Sequence, residues 1–121
     1  MKLTPFFSLV ALTLGTALSG CATGPVQLMQ DAPDVVHTSD KTVESVARCI
    51  DKKWEEVRVI GGANIVDVKN SEAGTRVTQR FGDTVHFVAL VSPRGTGSRT
   101  QVWTQKAIGI KRQLDDVSLC Q

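Results

Sequence analysis

Thr84-Val85-His86-Phe87-Val88-Ala89-Leu90-Val91 is the stretch on which the fold turns. In an extended chain Val85, Phe87, Ala89 and Val91 fall on one side, and Val88 and Leu90 on the other. A strand apolar on both sides belongs in the interior of a sheet. Turn residues bound it: Gly82-Asp83 before it, and Pro93, Gly95 and Gly97 after it. Moving outward, residues 75–81 alternate, with Val77 on one side and Arg76, Thr78 and Arg80 on the other. Residues 70–74 form a turn by composition. The β-branched runs 57–60 and 65–68 flank Gly61-Gly62 and read as one bulged strand or two short ones. On the other side, residues 92–98 read as a loop, the most mobile part of the domain. Residues 99–106 give a further strand, with Gln101, Trp103 and Gln105 opposite Val102 and Thr104.

Helical periodicity frames this β-rich middle. Val43, Val46, Ala47, Ile50, Trp54 and Val57 follow the i, i+3, i+4, i+7 spacing of one helix face over residues 40–57. Ser39 or Asp40 is the expected N-cap, and Cys49 lies at the margin of the apolar stripe. Near the C-terminus, Ile108 and Ile110 fit the end of a strand, while Ile110, Leu114 and Val117 fit a short helix to Leu119. The helix is preferred, with Cys120 at its end. The expected fold is α+β: an N-terminal helix, an antiparallel meander of about four strands and a short C-terminal helix, both helices on one sheet face.

The N-terminus has the three parts of a secretion signal: Lys2, a mostly apolar run over residues 6–14, and small residues up to Gly20. The apolar run is shorter than the about 20 residues that a membrane span needs. Leu18-Ser19-Gly20-Cys21 resembles the lipobox of bacterial lipoproteins. That resemblance implies that residues 1–20 are removed and that Cys21 carries the lipid, with palmitate-type acyl chains as membrane anchor. It also implies a place in the cell envelope. Ala22 lacks the aspartate that marks inner-membrane retention in such lipoproteins, which implies the outer membrane, facing the periplasm, in a host with two membranes. Residues 21–39, with Gly24-Pro25 and Ala32-Pro33, read as a flexible tether. Val35-Val36 read as a short edge strand or a contact at the start of the helix. Residues 40–121 read as the folded domain.

The chain has three cysteines. With Cys21 lipidated, Cys49 and Cys120 remain, and an oxidising envelope favours a Cys49–Cys120 disulfide over two separate buried thiols. Without a CxxC pair, thioredoxin-like redox chemistry has no support. Lysine and arginine total 14 against 12 aspartate and glutamate, a net charge of +2, with the charges interspersed. No basic block marks a nucleic-acid partner. Two histidines, far apart, do not make a zinc site.

The search for chemistry returns few candidates. Neither His37 nor His86 neighbours a nucleophile in sequence, and no G-x-S-x-G occurs. Asp115-Asp116 and Glu55-Glu56 are adjacent on helices, about 100° apart, and read as solvated faces. Gly95-Thr96-Gly97-Ser98-Arg99 has the look of an anion loop but precedes a strand, and reads as a hairpin connection. Arg76, Arg80, Arg94 and Arg99 form an expected basic rim suited to acidic partner surfaces or lipid headgroups. With Trp103 they are the candidate partner-binding residues.

Cys49, Trp54, Gly97-Ser98, Trp103 and Cys120 also resemble a group of small proteobacterial lipoproteins. These have a cysteine and a tryptophan on an early helix, a G-S-x-x-x-x-W-like strand and a C-terminal cysteine. The resemblance implies a fold and no mechanism. The expected function is a non-enzymatic, membrane-anchored protein-binding module, with no cofactor or metal. Its partner would be an envelope or secreted protein, in the role of an immunity protein, an accessory subunit of an envelope assembly or a phage-type exclusion factor. The alternatives are a small-ligand binder or enzyme at the membrane surface, or a purely structural lipoprotein.

Overall fold

A computed structural model describes residues 24–58, 62–105 and 111–121. Its centre is one antiparallel sheet of five strands in the order β1-β5-β4-β3-β2. The strands are β1 (Val35–Ser39), β2 (Asn64–Ser71), β3 (Gly74–Phe81), β4 (Thr84–Arg94) and β5 (Gly97–Thr104). The last four form the expected meander, joined by two-residue turns. As its two-sided apolar pattern requires, β4 is the middle strand, between β3 and β5.

Helices α2 (Val43–Glu55) and α3 (Lys111–Leu119) cover one sheet face. The apolar stripe of α2 buries Val46, Ala47, Ile50 and Trp54 against Val77, Phe87, Ala89, Val91 and Val102. From α3, Val117 joins that core, which Cys120 closes. Cys49 and Cys120 form a disulfide, with Cα atoms 5.6 Å apart across a sequence separation of 71. Thr42, one residue before α2, accepts from the Ser45 amide and is the N-cap. Ser39 is not the cap because it is still paired in β1, opposite Ser98. At the other end of α2 the Trp54 carbonyl accepts from both the Asn64 and Gln79 side-chain amides, and the Val57 carbonyl accepts from Asn64. Helix ends leave such carbonyls without partners, which explains a fully buried glutamine at position 79.

Further features depart from the sequence reading. Residues 25–39 are folded rather than a tether. Pro25–Leu28 forms a one-turn helix, α1, with proline at its start, while Val35–Ser39 pairs with β5, as the edge-strand reading of Val35-Val36 expects. Leu28 and Met29 lie on the second sheet face against Val85, Val88, Leu90 and Trp103. Residues 92–98 are not a mobile loop: β4 and β5 stay paired to Arg94↔Gly97 around a tight turn at Gly95. Pro93 is tolerated because β3 pairs with β4 only as far as Val91, so the end of β4 is locally an edge. Finally, the register between β3 and β4 slips by one, Gln79 facing Phe87 and Arg80 facing Val85. The bulge at His86 sends Val85 to the second face, away from Phe87, Ala89 and Val91. The expected run 57–60 is not a strand at Val57 and Arg58, and residues 59–61, like Ile108 and Ile110, lie outside the described residues.

Gly74 begins β3 at φ 133°, and a Cβ there would run into the Val91 carbonyl. Both backbone conformation and space require glycine. Gly74→Ala is expected to destabilise the domain by about 1–3 kcal/mol. A urea titration checks this: the midpoint falls while the slope is unchanged.

Candidate functional site

The five-stranded sheet has two unequal faces. Strand alternation and the observed register place Lys69, Arg76, Arg80, Arg94 and Arg99 on the face away from α2 and α3, with Asp67 the one carboxylate on the strands of that face. The expected arginine rim is therefore gathered on a single face. Arg80 is ion-paired to Asp67 at 3.1 Å. Arg94 and Arg99 flank a shallow depression with Val36, Thr38 and Gln101. Trp103 departs from expectation: it is 5% exposed, under Leu28 and Met29, and its indole N–H donates to the Asp31 carbonyl at 2.8 Å. Trp103 is thus an internal anchor for the N-terminal segment and offers no docking surface. Beside it, Asp34 accepts from the Thr104 amide at 2.8 Å and fixes the start of β1.

Among the surface depressions, two combine apolar and charged walls beside the β2–β3 hairpin. One, of about 450 Å³, lies between α1 and the β2–β3 hairpin, where Val26, Met29 and Leu90 meet Lys69 and Arg76. Lys69 and Arg76 are directly opposite each other across the strands. Sequence reasoning missed Lys69, because its place beside Arg76 follows from the register of the hairpin. The other groove, of about 520 Å³, lies between α2 and β2, with Val43, Ala47 and Val68 below Glu44, Arg48 and Asp51. It adjoins the outer edge of β2, which among the described residues pairs only with β3.

The titratable residues do not converge on either groove as a catalytic set. His37 sits in β1 opposite Thr100. His86 packs against Phe81 with ring centroids 4.5 Å apart and the rings tilted by 44°, and its Nδ1 is buried without a hydrogen-bond partner among the described residues. Burial pushes its pKa below the ordinary value of 6.5. Asp116 is raised, chiefly by burial, with Arg112 opposing. The Glu55 carboxyl is raised by a hydrogen bond to Asp51, one turn earlier, and by that group's charge. Glu55 thus interacts with Asp51 rather than with its neighbour Glu56, while Asp116 feels Glu56 and Asp115. Among the described residues no group of three or more His, Cys, Asp or Glu is placed to hold a metal ion. The Gly95–Arg99 stretch is the hairpin connection expected of it, and the Ser39 carbonyl fills the space above Gly97, so β1 closes that side.

His86 sets a pH dependence. A histidine whose folded pKa is depressed binds a proton more readily when unfolded, so stability is full above about pH 6.5 and is lost as pH falls through the folded pKa. Thermal unfolding of the wild type is expected to move to lower temperature below that pH. His86→Phe is expected to flatten this part of the profile, and an unchanged slope would remove His86 as its source.

Protein-family models, curated proteins and solved structures were each compared with the chain, and none matches.

Proposed function

We propose that the chain is a lipid-anchored protein of the cell envelope that acts as a non-enzymatic binding module for another envelope or secreted protein. The observation that carries the reading is the Cys49–Cys120 disulfide. It uses two of the three cysteines and fits an oxidising compartment. It leaves Cys21, at the end of the lipobox-like stretch, as the odd cysteine to be explained. The chemistry of the fold supports presentation of a fixed surface. A disulfide clamps the two core helices, side chains cap α2, and the sheet offers an open β2 edge beside the Val43, Ala47 and Val68 groove. An exposed edge with an apolar groove next to it suits a protein partner that adds a strand and buries a side chain.

The test is cross-linking in cells of the tagged protein with Cys21 intact, followed by mass spectrometry of what co-purifies. One dominant, stoichiometric envelope or secreted partner is the expected result, and its identity separates immunity, assembly and exclusion roles. Charged substitution of Val68 on the β2 side is expected to reduce its recovery. A diffuse, non-saturable pattern would contradict a dedicated module and favour a structural lipoprotein.

A further inference from the structure

The anchor and the fold are close in sequence, and this inference rests on the reading that Cys21 carries the lipid. Three peptide links separate Cys21 from Gly24, at most about 11 Å of chain, and α1 begins at Pro25. With residues 25–39 folded, no long tether lies between lipid and domain. The part of the domain nearest the bilayer is then the sheet face on which α1 lies.

That face has the chemistry of a membrane-contacting surface. Its strands carry Lys69, Arg76, Arg80, Arg94 and Arg99 against Asp67 alone. Val26 and Val36, 62% and 45% exposed, are apolar groups on the same side. The pair Lys69 and Arg76 is the sharpest feature. Like charges directly opposite on neighbouring strands repel, and neither is ion-paired among the described residues. The Arg76 Nε is buried with no hydrogen-bond partner among them. Both line the 450 Å³ groove whose other walls include Val26, Met29 and Leu90. Two cations beside apolar side chains match a phosphate attached to an acyl chain.

We propose that the α1 face of the sheet lies on the membrane, with the Lys69–Arg76 groove seating the phosphate of an anionic phospholipid. Val26 and Met29 reach the boundary between headgroups and acyl chains, as interfacial helices do. The α2 and α3 layer faces away from the bilayer, where a protein partner has access to it.

The test uses the mature chain from residue 21 with Cys21→Ser, which contains every described element and has no lipid. It is sedimented with vesicles of phosphatidylglycerol and phosphatidylethanolamine, and with vesicles of phosphatidylcholine alone. Expected is salt-sensitive binding to the anionic vesicles only. Each basic side chain near an anionic surface contributes about fivefold, so Lys69→Gln with Arg76→Gln is expected to lower the partition about 30-fold. Lys52→Gln with Lys53→Gln, on α2, makes the same change in net charge and is expected to leave it within about twofold. Thermal unfolding confirms that each protein is folded, and the single Lys69→Gln, at an exposed position, replaces the double variant if that fails. Equal losses from both pairs, or no preference for anionic vesicles, would overturn the proposal. Either result stands even if Cys21 proves to be acylated, so failure of this surface and failure of the anchor are read separately.

Discussion

Replacing Cys49 and Cys120 together by alanine is expected to lower the unfolding free energy by about 4 kcal/mol and the melting temperature by roughly 20 °C. The bond joins residues separated by 71 positions, so in the reduced chain a loop spanning most of the domain is free to open. In the chain-entropy account the effect grows with the logarithm of loop length, and this loop is long for the size of the protein. A domain of this size has a small core relative to its surface and little stability in reserve. The double variant is therefore expected to be partly unfolded near 37 °C. Calorimetry of the oxidised, reduced and doubly substituted proteins checks this: reduced wild type and the variant should melt together, well below the oxidised protein. Equal melting temperatures for all three would mean that packing alone holds α3 against α2.

Trp54→Ala is the second large effect, with an expected loss of about 3–5 kcal/mol. Trp54 is fully buried, packs on Phe87 with ring centroids 5.8 Å apart, and donates from its indole N–H to the Gln113 carbonyl at 3.3 Å. It is thus the contact through which α2, the sheet and α3 meet. Removal leaves a large cavity and takes away the side-chain bond from α2 to the α3 backbone at Gln113. Trp54→Phe keeps much of the packing and loses the hydrogen bond, for a smaller expected cost of about 1–2 kcal/mol. Guanidinium unfolding followed by Trp103 fluorescence measures both. A cost below about 1 kcal/mol for alanine would show that the site collapses around the gap and that Trp54 is not the keystone of the core.

The parts of the fold that were legible in the sequence are those with a repeating pattern. The stripe from Val43 to Val57 and the alternation around Val77, Phe87 and Val102 each report burial many times over, and the helix and the central strands follow from them. The cysteine count pointed to the disulfide by the same kind of redundancy. What was illegible depends on single contacts. Pro25 and Pro33 read as chain breakers, yet Pro25 starts a helical turn and Leu28 and Met29 join the cluster that holds Trp103. Two apolar residues carry no period. The bulge at His86 shifts Val85 to the other face without any mark in the alternation, since both neighbouring positions are apolar or aromatic. Pro93 and two glycines looked like a loop because local composition cannot reveal that β3 ends at Val91 and leaves β4 free to carry a proline.

The candidate surface was legible in the same uneven way. Arg76 and Arg80 share a face by alternation within one strand, and that reading holds. That Arg94 and Arg99 lie on the same face, that Lys69 stands opposite Arg76, and that Trp103 is covered, all depend on register between strands and on the N-terminal segment. A one-residue change in register would have scattered the cations over both faces.

Lipidation at Cys21 is tested most directly by the mass of the protein extracted from cell membranes with detergent. The spectrum is read on the intact chain and on its N-terminal peptide without reduction. The expected result is a chain that begins at Cys21, carries an acylated glyceryl group on that residue, and yields a peptide in which Cys49 is linked to Cys120. A chain that begins elsewhere, or a Cys21 found as a free thiol or within a disulfide, would contradict it.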